Sequence, residues 1–312
     1  MNREYWKQKL NGFVHDVVRY VYVHKTKAVA SVAIVFMLSG TASAGSYYYQ
    51  ENLVDIYDVY LYGEKIGTVA LFRGCIMDVM FTETNRRTAL LLAEAGYEVI
   101  IPDNQGCCGA LHAHSGEVDK AKELALRNLR AFLAEDIDYI VSNAGGCGAI
   151  LSEYDHLLHD DPDWSQQAIQ FADKVKDVSD VLASGRPIEY EETDSEIKVT
   201  YQDSCHLRNV MGGGSAARKL IQNVANCEYV ELCEADRCCG SAGIYNLVQP
   251  EMAGQVLDRK MEHVNDTNAQ YLLTSNPGCL LQMKSGIEKH GEASLNMTAH
   301  HLVDFLYERK KQ

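Results

Sequence analysis

No cysteine occurs before Cys75, and over the chain as a whole positive charge is outnumbered by negative. With 29 Lys and Arg against 43 Asp and Glu, the 312 residues carry a formal charge of −14. That balance excludes nucleic acid as a partner, because phosphate contacts need clustered cations. No Ser–His–Asp arrangement and no paired carboxylates mark a hydrolytic centre. The glycine run after Met211 is not followed by the Lys-Ser/Thr of a phosphate loop, so it reads as a flexible entry to a helix. No flavin site is evident either.

What the chain does have is ten cysteines, eight of them in two superimposable sets. The first is Cys75, the pair Cys107 and Cys108 followed by Gly109, and Cys147. The second is Cys205, the pair Cys238 and Cys239 followed by Gly240, and Cys279. Equivalent positions are offset by 130, 131 and 132 residues, a register that scatter does not produce. Thiolate sulfur is a soft ligand suited to iron–sulfur clusters or zinc. Adjacent Cys-Cys pairs make simple disulfides awkward, since neighbouring side chains diverge, and reduced ligand thiols are expected instead. Zinc sites usually draw ligands from two close pairs, whereas adjacent cysteines suit a cluster in which each sulfur meets a different iron. An iron–sulfur cluster is the leading expectation, zinc the alternative, and buried structural cysteines the third.

Composition divides the chain. Residues 1–68 form a basic segment, with six Lys and Arg against two acids up to Lys27, then the apolar run Ala28–Leu38 and a short hairpin around Tyr62-Gly63-Glu64-Lys65. The run reads as a single-pass membrane anchor with the N-terminus inside. Such an anchor would export the residues beyond it, which conflicts with reduced cysteines that belong in the cytoplasm. Residues 1–68 therefore read as foreign to the rest. From Val69 strands and helices alternate, and the order repeats. The expected fold is α/β: a first domain over 69–182, an acidic linker over 183–197 and a second domain over 198–312. Each has a small parallel sheet flanked by helices, with every cysteine of the pattern at or after a strand's carboxyl end. Ser115 is expected to cap a helix, and Tyr229–Leu232 to form a strand.

These residues carry a resemblance. The spacing, and the strings GCIMDVMF, CCGALHAHSG, NAGGCGAILSEY, DSCHL, CCGSAGIYNLVQPEMA and SNPGC, resemble the duplicated cysteine-rich CCG domain of heterodisulfide reductases. More closely they resemble the iron–sulfur subunits of bacterial glycolate oxidases, and less closely the lactate-utilisation iron–sulfur proteins. The likeness covers about residues 69–308. It implies 4Fe–4S type clusters, with a non-cubane form open, held by Cys75, Cys107, Cys108 and Cys147 and by Cys205, Cys238, Cys239 and Cys279. It also implies FAD-containing partner subunits that oxidise glycolate to glyoxylate, and electrons passed to the membrane quinone pool from the cytoplasmic side. Two departures stand out. The family pattern closes with Cys-x-x-Cys, yet Ala144 and Asn276 occupy the earlier of those positions. The ferredoxin-like Cys-x-x-Cys-x-x-Cys runs of the glycolate subunits are absent from this sequence. The rival reading is a zinc-stabilised, membrane-tethered interaction module without redox activity.

Of the remaining residues, His112, His114 and His206 sit where they could tune or complete a centre, although satisfied loop histidines are commoner. Asn276 could offer an oxygen. His300 and His301 read as solvent-facing or capping, Cys227 and Cys233 as small buried hydrophobes. His156, His159, Asp160 and Asp161 read as a solvated helix end.

Overall fold

The computed structural model describes residues 63–192, 195–291 and 296–311. The apolar run and the first strand of the hairpin lie outside the described residues. Among the described residues no helix is long and apolar enough to cross a membrane.

Two four-stranded parallel sheets are built in the same way. The first comprises β1 (Gly67–Phe72), β2 (Tyr97–Ile100), β3 (Tyr139–Ser142) and β4 (Val175–Asp177), in the order β2-β1-β3-β4. The second comprises β5 (Ile197–Tyr201), β6 (Cys227–Tyr229), β7 (Tyr271–Thr274) and β8 (Thr298–His301), in the order β6-β5-β7-β8. All pairings are parallel, with Gly67 and Thr68 opposite Tyr97 and Glu98 at the start of β1. The chain order reverses between β1 and β3, and again between β5 and β7. In open parallel sheets that switch point opens a crevice outside the carboxyl ends of the strands.

Side-chain alternation assigns each sheet two different neighbours. Ala70, Phe72 and Ile140 face a core private to the first half, with Leu129, Phe132, Tyr154 and Phe171. Leu272 faces a private core of the second half, with Leu257, Met261 and Met283. The opposite faces, through Val69, Val141, Val199 and Leu273, belong to one cluster that runs through both halves. Helices Thr82–Glu94 and Val178–Ser184 of the first half meet helices Leu302–Arg309 and Ser215–Gln222 of the second there. Leu91, Val181, Leu220 and Phe305 are buried between them.

Local chemistry explains where the elements stop. Gly96, at φ 100°, ends helix Thr82–Glu94 in the left-handed region, where a Cβ would be strained. Ser115 does not cap the helix after it. It closes the short helix Ala110–His114, and helix Val118–Phe132 starts behind Glu117. The strand expected at Tyr229–Leu232 starts earlier, at Cys227, because Asn226 turns the chain at φ 51°. β4 and β8 carry too few apolar residues to stand out as strands in the sequence.

Candidate metal centres

All eight cysteines of the repeat gather at the carboxyl ends of the sheets, in two groups of four. Cys75 follows β1, Cys107 and Cys108 follow β2, and Cys147 lies in the first turn of the helix Gly145–Ser152 after β3. The sulfurs of Cys75 and Cys107 are 3.6 Å apart, and those of Cys108 and Cys147 are 3.3 Å apart. Cys205, Cys238, Cys239 and Cys279 repeat the arrangement after β5, β6 and β7, with Cys238 touching Cys205 and Cys239, and Cys239 touching Cys279. The thiols thus form chains of pairwise contacts. Among the described residues no set of three or more His, Cys, Asp or Glu is spaced as ligands of a single ion. All ten cysteines are free, with Cys108, Cys239 and Cys279 buried.

The charge state repeats as well. The Cys108 and Cys75 thiols donate to Cys107 and hold it well below the ordinary thiol range, helped by the Gly109 N–H. Cys205 and Cys239 do the same for Cys238, with the Gly240 N–H. Donation into these partners, together with burial, pushes Cys75, Cys108, Cys205 and Cys239 up. In each half the first cysteine of the adjacent pair is pushed toward the thiolate, the ionic form that binds metal, and in the second half donation from Cys239 pushes Cys279 the same way.

The glycine after each pair is required by the backbone. Gly109 and Gly240 sit at φ 84° and 92°, and their N–H groups reach Cys107 Sγ at 3.5 Å and Cys238 Sγ at 3.3 Å. A Cβ on Gly240 would stand 2.6 Å from the Ala253 carbonyl oxygen, and one on Gly109 3.4 Å from Ala121. The close approach that glycine permits is therefore to a helix. Each loop is also tied to its central strand by one glutamine. Gln105 Nε2 donates to Leu71 O, and its Oε1 accepts from Arg73 N–H at 2.8 Å. Gln202 Nε2 donates to Ala235 O and Arg237 O, each at 3.0 Å. Neither glutamine stood out in the sequence, since a lone buried amide leaves no periodic signal.

The two groups are neighbours. Gly145 N–H donates to Ser275 O at 2.9 Å, and Gly146 N–H to Asn276 Oδ1 at 3.0 Å. Asn276 Nδ2 in turn donates to Cys279 Sγ at 3.4 Å. Its oxygen is thus engaged by the first half's helix, and Asn276 joins the two groups. Ala144, its counterpart, is buried and has no side-chain donor. His206 Nδ1 lies 3.5 Å from Cys205 Sγ, and its ring stacks on His114 with centroids 5.2 Å apart. His112 instead pairs with Glu117. His301 is buried, accepting from Val303 N–H as a helix cap and contacting Asn143 O at 2.8 Å across the halves. Cys227 is half-buried, but Cys233 is exposed, contrary to the expected burial. His156, His159 and Asp160 are exposed, as a solvated helix end requires, and Asp161 caps the turn before Ser165.

The cysteine-rich CCG domain matches twice, over residues 69–152 and 199–284. The chain belongs to the CCG cysteine-rich domain family. This CCG chain is 52% identical, over 244 residues, to a Bacillus subtilis protein called probable glycolate oxidase iron-sulfur subunit, covering 77% of this chain and 54% of that one. It therefore spans about half the length of that relative. Lactate utilization protein A of Oceanobacillus iheyensis is 33% identical over 224 residues, 72% of this chain and 91% of that one. A crystal structure of a hypothetical protein from Helicobacter pylori matches with a TM-score of 0.57 at 10% identity, over 85% of this chain and 54% of that one. That last likeness concerns the fold alone.

Proposed function

We propose that this chain is an iron–sulfur electron-transfer subunit of a glycolate-oxidising complex. The observation that carries the reading is the paired set of four cysteines at the carboxyl ends of the sheets, in each of which the first cysteine of the adjacent pair accepts a backbone N–H. Four thiolate-capable sulfurs at one end of a sheet, with donors aimed at them, suit an iron–sulfur cluster. Cys75, Cys107, Cys108 and Cys147 would hold one cluster, and Cys205, Cys238, Cys239 and Cys279 the other. Such clusters supply one-electron storage. The chain's own residues fix the sulfurs, aim a backbone N–H at one of them and keep the pair loop tied to its strand. The name of the 52%-identical relative supports glycolate as the substrate of the whole complex, ahead of the lactate-utilisation reading at 33%. An FAD-bearing partner would oxidise glycolate to glyoxylate, and the electrons would leave toward a membrane quinone from the cytoplasmic side, where thiols stay reduced.

The test is anaerobic purification followed by iron, acid-labile sulfide and zinc analysis and paramagnetic resonance. Brown protein with iron, sulfide and a redox-dependent signal is the expected result. Zinc without iron would overturn the reading in favour of a structural metal module.

A further inference from the structure

Behind each cysteine pair runs a long helix, and the two helices match residue for residue. Ala121, Ala125, Asn128, Leu129 and Phe132 are the buried positions of Val118–Phe132. Ala253, Leu257, Lys260, Met261 and Val264 are those of Pro250–Asp266. Ala121 abuts Gly109 as Ala253 abuts Gly240, which fixes the register. Asn128 and Lys260 thus hold the same place, one a neutral carboxamide and the other an ammonium.

Both are fully inside. Asn128 is 0% exposed and holds the first loop, with Oδ1 accepting from Gly106 N–H at 2.8 Å and Nδ2 donating to Cys107 O and to Tyr154 Oη, each at 3.0 Å. Lys260 is 3% exposed and donates to Glu234 O in the second loop. Its charge lies close enough to interact with Cys239 and Cys238, as well as with Asp236 and Glu234. Asp236 is exposed and solvent-screened, and the Glu234 carboxylate is paired with Arg237 and Arg259 at 3.1 Å each. Lys260 is therefore a buried cation beside the second group of sulfurs, its hold on the proton weakened by burial and strengthened by those sulfurs and by Asp236 and Glu234. In the first half the buried cation is Arg73, two residues before Cys75, and it is paired with Asp78 at 3.8 Å.

A buried cation favours the more negative state of whatever lies beside it, and low dielectric magnifies the effect. Hydrogen bonds to ligand sulfur act in the same direction, and Cys279 receives one from Asn276 where the first half has Ala144. We infer that Lys260 sets the direction of electron flow in this chain, making the second-half centre the more easily reduced of the two. With clusters held by Cys75, Cys107, Cys108 and Cys147 and by Cys205, Cys238, Cys239 and Cys279, the one electron given up on the first side would be the one gained on the second. The donor to the first is the flavoprotein partner proposed above, and the acceptor from the second is the quinone. The helix start at Gly145–Gly146 and the Asn276 amide join the two groups through hydrogen bonds.

This inference rests on the iron–sulfur reading, and its test separates the two. The full chain is purified anaerobically, its iron and sulfide are measured, and its midpoints are titrated by paramagnetic resonance. Cys108→Ala, which removes a first-half ligand, identifies the midpoint of the second half. Lys260→Met should move that midpoint to a more negative potential, with iron content and the other midpoint unchanged. Lys260→Arg, which keeps the charge, should restore it. If Lys260→Met fails to retain iron, Lys260→Gln places a carboxamide there, as the first half already has, and should give the same shift. A midpoint that stays put in an iron-replete neutral variant, or two midpoints that move together, would overturn the role of Lys260. Wild-type protein that holds no iron would instead fail the iron–sulfur reading itself.

Discussion

The two cysteine groups share a scaffold but differ in what surrounds it. In both, four sulfurs meet at the carboxyl ends of three parallel strands, and the first cysteine of the pair accepts the N–H of the glycine that follows the pair. The first half balances its buried Arg73 against Asp78, with Asn128 and Tyr154 holding the loop through backbone carbonyls. The second half is polar and charged, with Lys260 behind the loop and Asn276 on Cys279. Duplication preserved what positions the sulfurs and let the surrounding electrostatics diverge. A metal centre's chemistry is tuned from its outer shell, so identical ligand sets need not be equivalent sites.

The sharpest way to break this comparison is to delete a ligand from one side. Under the proposal that each group holds its own cluster, Cys239→Ala should lose about half of the iron and leave the first-half signal intact. Cys108→Ala should do the converse. Unchanged iron in either variant would remove that cysteine from the ligand set.

The next largest effect is expected at Asn128. Asn128→Ala leaves the part-buried Gly106 N–H and Cys107 O without their partner. Orphaned groups of this kind cost ~1–3 kcal/mol each, so the variant should unfold several degrees lower in a thermal melt. Its first-half signal should weaken before the second.

A third contrast lies at the ends of β4 and β8, where Asp177 and His301 each cap the following helix. Burial raises the Asp177 carboxyl from its usual 3.8 to about 7, whereas burial lowers His301. The folded state holds the Asp177 proton more tightly than the unfolded chain does. Stability from this group is therefore complete below about pH 4 and lost as pH rises toward about 7. For His301 the unfolded chain binds the proton more tightly, so stability is lost as pH falls below the ordinary histidine range. Asp177→Asn should flatten the loss on the alkaline side, and His301→Asn the loss on the acid side. Thermal melts across pH 4 to 8 would read both, and parallel profiles for wild type and variant would refute the assignment.

The smallest effect is expected at Asn276. Asn276→Ala removes the acceptor of Gly146 N–H and the donor to Cys279, at a cost of ~1 kcal/mol. The second-half midpoint should fall slightly. A rise would contradict the donor role of the amide.

The cysteine sets, the alternation of strand and helix and the carboxyl-end placement of the sulfurs were legible in the sequence, because each leaves a spacing or a period. What was hidden depends on tertiary partners. Gln105 and Gln202 do the same work from opposite ends of their loops, so no repeat reveals them. Lys260 looks like one more charged residue on an amphipathic helix until its burial is seen. Asn276 read as a potential oxygen ligand, yet its oxygen belongs to the other half. β4 and β8 were missed because they are short edge strands with few apolar residues.

The cluster through Val69, Val141, Val199 and Leu273 has a consequence for ancestry. Its helices Thr82–Glu94 and Val178–Ser184 bury their outer faces against Leu302–Arg309 and Ser215–Gln222, so neither half is finished alone. A protein with a single copy of this unit would expose an apolar helical face and would bury it by pairing with a second copy of itself. The present chain carries both copies, so these faces meet within one chain, and the copies differ where Asn128 stands in one and Lys260 in the other.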